Sequence, residues 1–275
     1  MSLNPALEKK AYSKEHQAFL NGVLRRKRLI SVARWGILIA FLALWELAAS
    51  LNWIDPFIIS SPSRILGTLQ SLWSEGTLLT HIGITLYETI VGFVLGTVLG
   101  LGLAIALWWS DTLSRILDPY LVVLNSLPKI ALGPILIVWI GAGTSAIITM
   151  TLLISLIVTV MGMLNGFLEV SKEKILLLKT FGATKYQILR KVILPASVPS
   201  LISSLKINIG MSWVGVIVGE YLVSKAGLGY LIVYGSQVFK LDLVMTSIVI
   251  LSIAAALMYE GIALLERHVI KQGKL

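Results

Sequence analysis

The chain of 275 residues contains no cysteine and carries little charge. The absence of cysteine excludes a disulfide framework, a thiolate nucleophile and a cysteine-ligated metal site. Charged residues make up 13% of the chain, whereas about 25% is usual for a soluble domain. Hydrophobic residues make up 56%, and the mean hydropathy is +0.87. This composition excludes an ordinary soluble domain and indicates a membrane protein.

Several catalytic motifs are also absent. The sequence has no Gly-x-x-x-x-Gly-Lys-Ser/Thr loop for ATP phosphates, no His-Glu-x-x-His zinc motif and no Gly-x-Ser-x-Gly motif. The three histidines, His16, His81 and His268, are scattered along the sequence. We therefore expect no catalytic residue, no metal site and no cofactor site in this chain, which predicts that it is not an enzyme.

Long apolar runs dominate what is present. A membrane-spanning helix needs roughly 20 mostly apolar residues. One uncharged run, 130–168, is too long for a single span, and the small residues at 141–145 mark a turn that divides it. The predicted fold is an all-α, polytopic membrane bundle of six transmembrane helices, at 32–51, 84–108, 120–140, 146–167, 200–220 and 243–265.

The basic residues predict the orientation of these spans. With the N-terminus inside, eighteen of the 23 Lys and Arg residues fall on inner segments and three on outer segments. The positive-inside rule describes this bias. The net charge of +9 therefore reflects topology, and we expect no nucleic-acid partner. The prediction is a multi-pass protein of the cell (plasma or inner) membrane, in contact with lipid, with both termini in the cytoplasm.

The domain prediction follows from this topology. A cytoplasmic N-terminal segment at 1–31 is either a short interfacial helix or a frayed tail. The six-span membrane domain covers 32–265 and includes a cytoplasmic loop at 171–195, and a cytoplasmic tail covers 266–275. In the second span, Gly92, Gly96 and Gly100 form a small-xxx-small pattern, which predicts close approach of another helix.

The loop at 171–195 is strongly basic. Its six Lys and Arg residues would cost on the order of 15 kcal/mol at the middle of a membrane, so the loop must lie in water. One interpretation is a loop that only sets topology and touches anionic lipid. The other is an ordered element whose apolar side chains bind a partner.

Capping signals favour an ordered element. Ser171 is a candidate N-cap for a first short helix, and Gly182 fits the left-handed position just after that helix ends. Thr184 and Gln187 have the spacing of a capping box, which predicts the start of a second short helix. The sequence therefore predicts two short helices joined by a bend at the glycine.

The second short helix is predicted to run through Val192, and Pro195 should end it by turning Leu194 away from helical geometry. Gly182, nine residues, Val192, one residue and Leu194-Pro195 resemble the cytoplasmic-loop signature of binding-protein-dependent ABC importer permeases. That signature reads Glu-Ala-Ala, three residues, Gly, nine residues, Ile, one residue, Leu-Pro. The front differs, because three leucines at 176–178 stand where the signature has Glu-Ala-Ala.

Further segments carry the same resemblance. IISSPSRIL, LPKIALGPILIVWIGAG and GEYLVSKAGLGYLI are similar to the nitrate, sulfonate and taurine branch of these permeases. The resemblance implies the fold of a type I importer permease, the subunit that forms the path for a small solute. The expected solute is an anion such as nitrate, a sulfonate or taurine, and the alternative is a vitamin precursor or another small organic molecule.

The resemblance also implies partners. An external binding protein delivers the solute, two ATPase subunits hold ATP and Mg, and a second permease subunit, identical or different, completes the path. The loop at 171–195 would then be a coupling helix that docks on the ATPase. Its implied coupling residues are Leu176, Leu177, Leu178, Phe181, Gly182, Ala183, Thr184, Gln187, Leu194 and Pro195.

Polar groups in the third and fifth spans are candidates for the solute path. Lys129 and Lys206 either attract an anion or extend to the inner interface. Pro128 and Pro134 can kink the third span and free backbone carbonyls, or they can distort it with no role in the path. The candidate path residues are Asn125, Pro128, Lys129, Asn208, Ser212 and Trp213.

A transporter or channel driven by an ion gradient is the alternative class. It would need ionisable groups inside the spans, and Glu46, Glu88, Glu220 and Glu260 are the candidates. The predicted topology places the first three near the outer ends of their spans. This position favours hydrogen-bonded or paired carboxylates over a proton relay.

Overall fold

The computed structural model describes residues 14–272, and within this range it contains helices and loops but no strand, as the all-α prediction requires. Residues 1–13 of the predicted N-terminal segment and 273–275 of the predicted tail lie outside the described part. The chain divides into two compact units, 1–64 and 65–275. In chain order the helices are α1 (Lys14–Ser50), α2 (Pro56–Ile59), α3 (Pro62–Ser74), α4 (Leu78–Trp109), α5 (Asp111–Ser126), α6 (Gly133–Ile140), α7 (Thr144–Leu168), α8 (Lys172–Thr180), α9 (Lys185–Ile188), α10 (Leu194–Ala196), α11 (Val198–Val223), α12 (Leu228–Gln237) and α13 (Leu241–Gln272).

The first unit is built around α1, which is one unbroken helix of 37 residues. It therefore begins well before the predicted first span at 32–51. Near its C-terminal end, Glu46 accepts hydrogen bonds from the backbone N–H and the hydroxyl of Ser63, at 2.9 and 2.8 Å. Trp45 donates its indole N–H to the carbonyl of Ser60 at 3.2 Å. These bonds fix the end of α1 to the segment that leads into α3.

Five of the described helices are long and apolar enough to cross a membrane: they contain the segments Asn21–Ser50, Leu78–Trp109, Thr144–Leu168, Val198–Val223 and Leu241–His268. They correspond to the predicted spans one, two, four, five and six. The sixth candidate is a pair, Asp111–Ser126 with Lys129–Ile140, bent by 85°. The described chain thus has five spans, or six if the bent pair counts as one span.

The third span, predicted at 120–140 with a proline kink as one possibility, is a bent pair of helices. The helix breaks after Ser126, where Leu127 takes an extended conformation with ψ 134° because the following Pro128 disfavours helical geometry. A 3₁₀ turn, Lys129–Leu132, then leads into α6. Pro134 lies in the first turn of α6, where proline is tolerated. Pro128 therefore breaks the span, whereas Pro134 starts a helix and produces no kink.

α7 packs against both α4 and α11, and small residues set its distance from α4. A Cβ added at Gly92, Gly96 or Gly100 would lie 2.5, 2.7 or 2.6 Å from side-chain atoms of Thr151, Ser155 and Thr159, respectively. Both sets recur every four residues, so one face of α4 meets one face of α7. The predicted close approach at the three glycines is confirmed.

The same principle joins α7 to α11. Gly215 of α11 would place a Cβ 2.5 Å from the Cα of Thr151, and Gly219 would place one 3.0 Å from the Cα of Ile147. In return, Gly166 of α7 faces Ser200 of α11, with a Cβ distance of 2.6 Å. Such close packing of backbones is a common way to associate helices in lipid, where the hydrophobic effect offers no drive. The three helices α4, α7 and α11 form the centre of the second unit.

Candidate functional site

The segment 171–195, called the elbow below, joins α7 to α11. The Ser171 hydroxyl accepts from the N–H of Lys174 and caps α8. It also donates to Glu173 at 2.5 Å, and this hydrogen bond lowers the pKa of the exposed Glu173 carboxyl. Gly182 follows α8 with φ +76°, in the left-handed region that favours glycine. The predicted cap and the predicted glycine turn are confirmed.

The second half of the elbow begins with the predicted capping box. The backbone N–H of Gln187 donates to the Thr184 hydroxyl at 3.3 Å, and the side chain of Gln187 accepts from the N–H of Thr184 at 2.8 Å. The two reciprocal bonds satisfy N–H groups that the start of α9 would otherwise leave unpaired. Each half of the elbow is therefore an ordered, capped helix, as predicted.

The predicted end of the second helix was wrong. Leu194 is helical, with φ −59° and ψ −48°, and the chain continues through Pro195 into α10. Between α9 and α10, residues Leu189–Ile193 form a π turn, in which the N–H of Leu194 bonds to the carbonyl of Leu189. A proline ring normally clashes with the carbonyl four residues earlier. The widened turn displaces that carbonyl, so Pro195 is accommodated without ending the helical path.

Buried side chains fix the elbow to the bundle. Ile188, Leu189 and Ile193 are 2%, 6% and 0% exposed, and they lie in one apolar cluster with Phe167 of α7. Lys185 donates to the carbonyl of Trp109, the last residue of α4, at 2.5 Å. A lysine there satisfies a carbonyl that the helix end leaves free and complements the negative end of its dipole. The elbow is thereby fixed to both α4 and α7.

Sequence reasoning missed Lys185, which it counted only as one basic residue among six. The ammonium also lies 5.7 Å from the ring centroids of both Trp108 and Trp109, within the range of a cation–π contact. The pair of tryptophans at the end of the second span was the sequence signal that could have indicated a partner for Lys185. Such residues are common where a helix leaves the membrane.

The implied coupling residues fall into two groups by exposure. Leu176, Leu177 and Phe181 are 63%, 57% and 77% exposed. Large apolar side chains in a segment with lysines at 172, 174 and 179 cannot lie in hydrocarbon, so they form an exposed apolar surface in water, called the docking surface below because a partner is proposed to bind there. The exposed members are Leu176, Leu177, Phe181, Gly182, Thr184, Gln187 and Pro195, and the partly buried members are Leu178, Ala183 and Leu194.

The candidate path residues lie in two different settings. Asn125 and Pro128 are exposed at the bend after α5, where the half-exposed Lys129 donates to the carbonyl of Asn125 at 3.1 Å. Asn208 and Ser212 are fully buried, and Trp213 is 7% exposed. These three lie inside the second unit, and the Asn208 amide donates to the hydroxyl of Thr97 on α4 at 2.8 Å.

Lys206, the other lysine of the fifth span, is paired. Its ammonium lies 2.7 Å from the carboxylate of Glu266 on α13 and 5.8 Å from the ring centroid of Tyr259. This pair lies at the start of the predicted cytoplasmic tail, so it is compatible with the predicted extension of Lys206 to the inner interface. Lys206 joins α11 to the C-terminal part of α13.

The four candidate glutamates are hydrogen-bonded or paired, as the sequence favoured for the first three. Glu46 accepts from Ser63 in the first turn of α3, as described above. Glu260 lies 3.3 Å from Arg267, with both side chains more than half exposed. Glu88 and Glu220 are each 1% exposed, and their carboxyl groups contact each other. Two carboxyl groups in contact inside a membrane bundle are costly unless a proton or a partner compensates them.

Residues 92–271 match the family model described as binding-protein-dependent transport system inner membrane component. The chain belongs to this family. A probable ABC transporter permease protein of Haemophilus influenzae is 32% identical over 230 residues, covering 83% of this chain and 93% of the relative. A putative aliphatic sulfonates transport permease protein, SsuC, of Escherichia coli is 28% identical over 242 residues, covering 88% of this chain and 92% of that protein.

Solved structures agree with the family. A chain of the MetNI methionine ABC transporter, in inward-facing conformations, superposes with a TM-score of 0.64 at 25% sequence identity, covering 70% of this chain and 96% of that one. The protein is therefore a multi-pass inner membrane component of an ABC importer, with the fold of type I importer permeases. As a permease it is a transport component and not an enzyme. Its family works with an ATPase and a substrate-binding protein.

Proposed function

We propose that this permease carries a small organic anion, with sulfonates as the first candidates, and that the elbow receives the ATPase movement that drives transport. The elbow geometry carries the proposal: a left-handed glycine joins two capped helices that present apolar side chains. A capped helix transmits displacement, whereas an unstructured loop would absorb it. The sulfonate assignment is supported by the name of the Escherichia coli relative.

The elbow lies in the cytoplasm in this proposal, with both termini on the same side. The positive-inside bias supports the orientation, and the loop around 221–242 is then outside. Because ATP is cytoplasmic, a covalent crosslink between the elbow and the ATPase would require this orientation. A crosslinking experiment from the elbow therefore tests docking and topology together.

Two ATPase subunits, with ATP and Mg bound to them, act on two permeases in this proposal. ATP binding brings the ATPase subunits together, and each elbow moves with the subunit on which it is docked. Because Ile188, Ile193 and Lys185 fix the elbow to α4 and α7, the displacement reaches the closely packed helices α4, α7 and α11 as one body. The path then opens outward to receive the solute, and hydrolysis returns it to the inward-facing state.

A second copy of this chain completes the path. The bend after α5 exposes Asn125 together with Ser126, and Lys129 is half-exposed beside them. Polar and charged groups are costly against lipid and normally face a bundle interior or a water-filled cavity. We therefore assign Asn125, Pro128 and Lys129 to the shared path. Asn208, Ser212 and Trp213 are buried in α11, so in this proposal they line the path only if α11 turns relative to α4.

Uptake into proteoliposomes tests the proposed function. The complex contains the permease, its ATPase subunits and its binding protein, with ATP enclosed or omitted. We expect ATP-dependent uptake of labelled taurine or ethanesulfonate that persists when an ionophore removes the ion gradient. An excess of riboflavin should not compete.

Two results would contradict different parts of the proposal. Uptake that follows the ion gradient and ignores ATP would favour a secondary transporter. ATP-dependent uptake of riboflavin without any uptake of sulfonates would overturn the substrate class and leave the elbow mechanism standing.

A further inference from the structure

The start of α12 is capped by side chains from two other helices. The N–H of Gly227 donates to Nδ1 of His81 at 3.0 Å, and the N–H of Leu228 donates to the hydroxyl of Thr85 at 2.8 Å. The N–H of Gly229 donates to a carboxylate oxygen of Glu220 at 2.5 Å. A helix start normally leaves four N–H groups unpaired, and here α4 and α11 supply the acceptors. α12 is thus held to both helices by hydrogen bonds.

Glycines make this contact possible. A Cβ added at Gly227 would lie 2.4 Å from Glu220, and a Cβ added at Gly229 would lie 2.7 Å from the same carboxylate. Gly227 also has φ +116°, a backbone conformation that residues with a side chain rarely adopt. The sequence Gly227-Leu228-Gly229 therefore lets a buried carboxylate approach the backbone of α12 directly.

The hydrogen bonds indicate which groups carry protons. The Thr85 hydroxyl donates its proton to Oε1 of Glu220 at 2.6 Å, while the N–H of Gly229 donates to Oε2. Both oxygens of Glu220 therefore act as acceptors, which is the behaviour of an ionised carboxylate. His81 accepts at Nδ1, so its ring is neutral and carries its proton on Nε2.

Glu88 is the remaining acid of this cluster. Its carboxyl contacts that of Glu220 and the hydroxyl of Thr144, and within the described residues its Oε2 has no hydrogen-bond partner. Two ionised carboxylates cannot hydrogen-bond each other, because neither has a proton to donate. The hydrogen bond between the two carboxyl groups therefore requires a proton on Glu88, which donates it to Glu220.

No cation compensates the pair among residues 14–272. The titratable groups that face it are the neutral His81 of α4 and Tyr221 of α11, while α12 contributes the backbone N–H of Tyr230 and α7 the hydroxyl of Thr144. Tyr230 also stacks on His81, with the ring centroids 6.1 Å apart. With no Lys or Arg in contact, a second negative charge would have no counter-ion in a buried site.

We propose that Glu88 and Glu220 form a proton-binding site, in which the acid Glu88 donates to the carboxylate Glu220 and the carboxylate caps α12. The shared proton then holds α12 to α4 and α11. Loss of that proton places two like charges side by side and releases the helix start. The proposal rests on the hydrogen bonds of this cluster and is independent of the solute and of the ATPase.

Amide substitutions test the two roles separately. In Glu88→Gln the amide N–H₂ replaces the acid as donor to Glu220, and its oxygen can still accept from Thr144. In Glu220→Gln only one acceptor oxygen remains for the Thr85 hydroxyl, the Gly229 N–H and the Glu88 acid, and the amide adds a donor of its own. We expect Glu88→Gln to keep the parent Tm in nanodiscs. We expect Glu220→Gln and Glu88→Leu to lower Tm on the order of 5 °C, the scale for a buried hydrogen bond lost in a chain of this size.

A pH series adds a readout that a purely structural role would not move. The folded pair holds one proton that two separated carboxylates would release at neutral pH, so the stability that it contributes is present at low pH and is lost as the pH rises. From about pH 6 to about pH 9, the Tm of the parent should therefore fall more than that of Glu88→Gln, which has no proton to lose.

Release of α12 can be followed in the cysteine-free background. Leu231 of α12 is 5% exposed, so Leu231→Cys should react slowly with a maleimide in the parent and in Glu88→Gln, and faster in Glu220→Gln. Equal Tm and labelling for Glu88→Gln and Glu220→Gln would overturn the assignment of acid and carboxylate. A pH dependence that is unchanged in Glu88→Gln would overturn the shared proton.

Discussion

Replacing Gly182 with valine should abolish most transport while the permease still accumulates in the membrane. The backbone at this position has φ +76°, and a β-branched residue there costs about 1–3 kcal/mol in strain. No atom of the described chain lies within 4 Å of the position that a Cβ would take. The effect would therefore come from backbone geometry, which would turn α9 away from α8 and misplace the docking surface. Uptake and substrate-stimulated ATP hydrolysis should each fall about tenfold, which corresponds to 1.4 kcal/mol.

The matched control is Gly182→Asn. Asparagine tolerates the left-handed region better than other non-glycine residues, and the open space around Gly182 accommodates its side chain. Gly182→Asn should keep most of the uptake that Gly182→Val loses, at the same membrane level. Full uptake and full ATPase stimulation in Gly182→Val would return the elbow to the simpler interpretation, a basic loop that only sets topology.

Replacing Gly96 with leucine should prevent assembly of the bundle. A Cβ at this position would already lie 2.7 Å from the hydroxyl oxygen of Ser155, and three further carbons have to fit between α4 and α7. Overpacking of a well-packed site costs about 1–3 kcal/mol, and occasionally more. Because α7 also packs against α11, separation of α4 from α7 disturbs the centre of the unit. The level of folded protein in membranes, followed by size-exclusion chromatography in detergent, measures the loss.

Gly102→Leu is the control for that change. Gly102 lies on the same helix, it is exposed, and no atom of the described chain lies within 4 Å of its Cβ position. The two variants therefore add the same side chain to α4 on different faces. Gly102→Leu should behave like the parent. If Gly96→Leu also accumulated, eluted and transported like the parent, the close packing of α4 on α7 would not be needed for assembly.

Local signals in the sequence were sufficient to predict the caps and the bend of the elbow. Ser171, Gly182 and the pair Thr184 and Gln187 each act through hydrogen bonds or backbone conformation within a few residues, so their spacing predicted the caps and the bend. The glycine face of α4 was equally predictable, because glycines that recur every four residues lie on one face of a helix. Helix length and hydrophobicity likewise identified five of the spans.

The structural features that the sequence did not predict depend on longer-range packing. The sequence offered Pro195 as a helix end, but the buried contacts of Ile188 and Ile193 keep the path helical through a π turn. The prolines of the third span indicated a possible kink, but their spacing did not specify that the chain bends by 85° there. The capping of α12 joins Gly227 to His81, 146 positions earlier in the sequence, and no local pattern specifies such a pair.

Site-specific photo-crosslinking from the elbow to the ATPase tests the central claim most directly. Phe181 and Phe239 have similar exposure, 77% and 70%, and each can be replaced by benzoylphenylalanine in the assembled complex. The account predicts a crosslink to the ATPase subunit from position 181, in the elbow, and none from position 239, beyond the end of α12. An assembled, ATP-hydrolysing complex that crosslinks to the ATPase from position 239 and not from position 181 would contradict both the docking surface and the proposed topology.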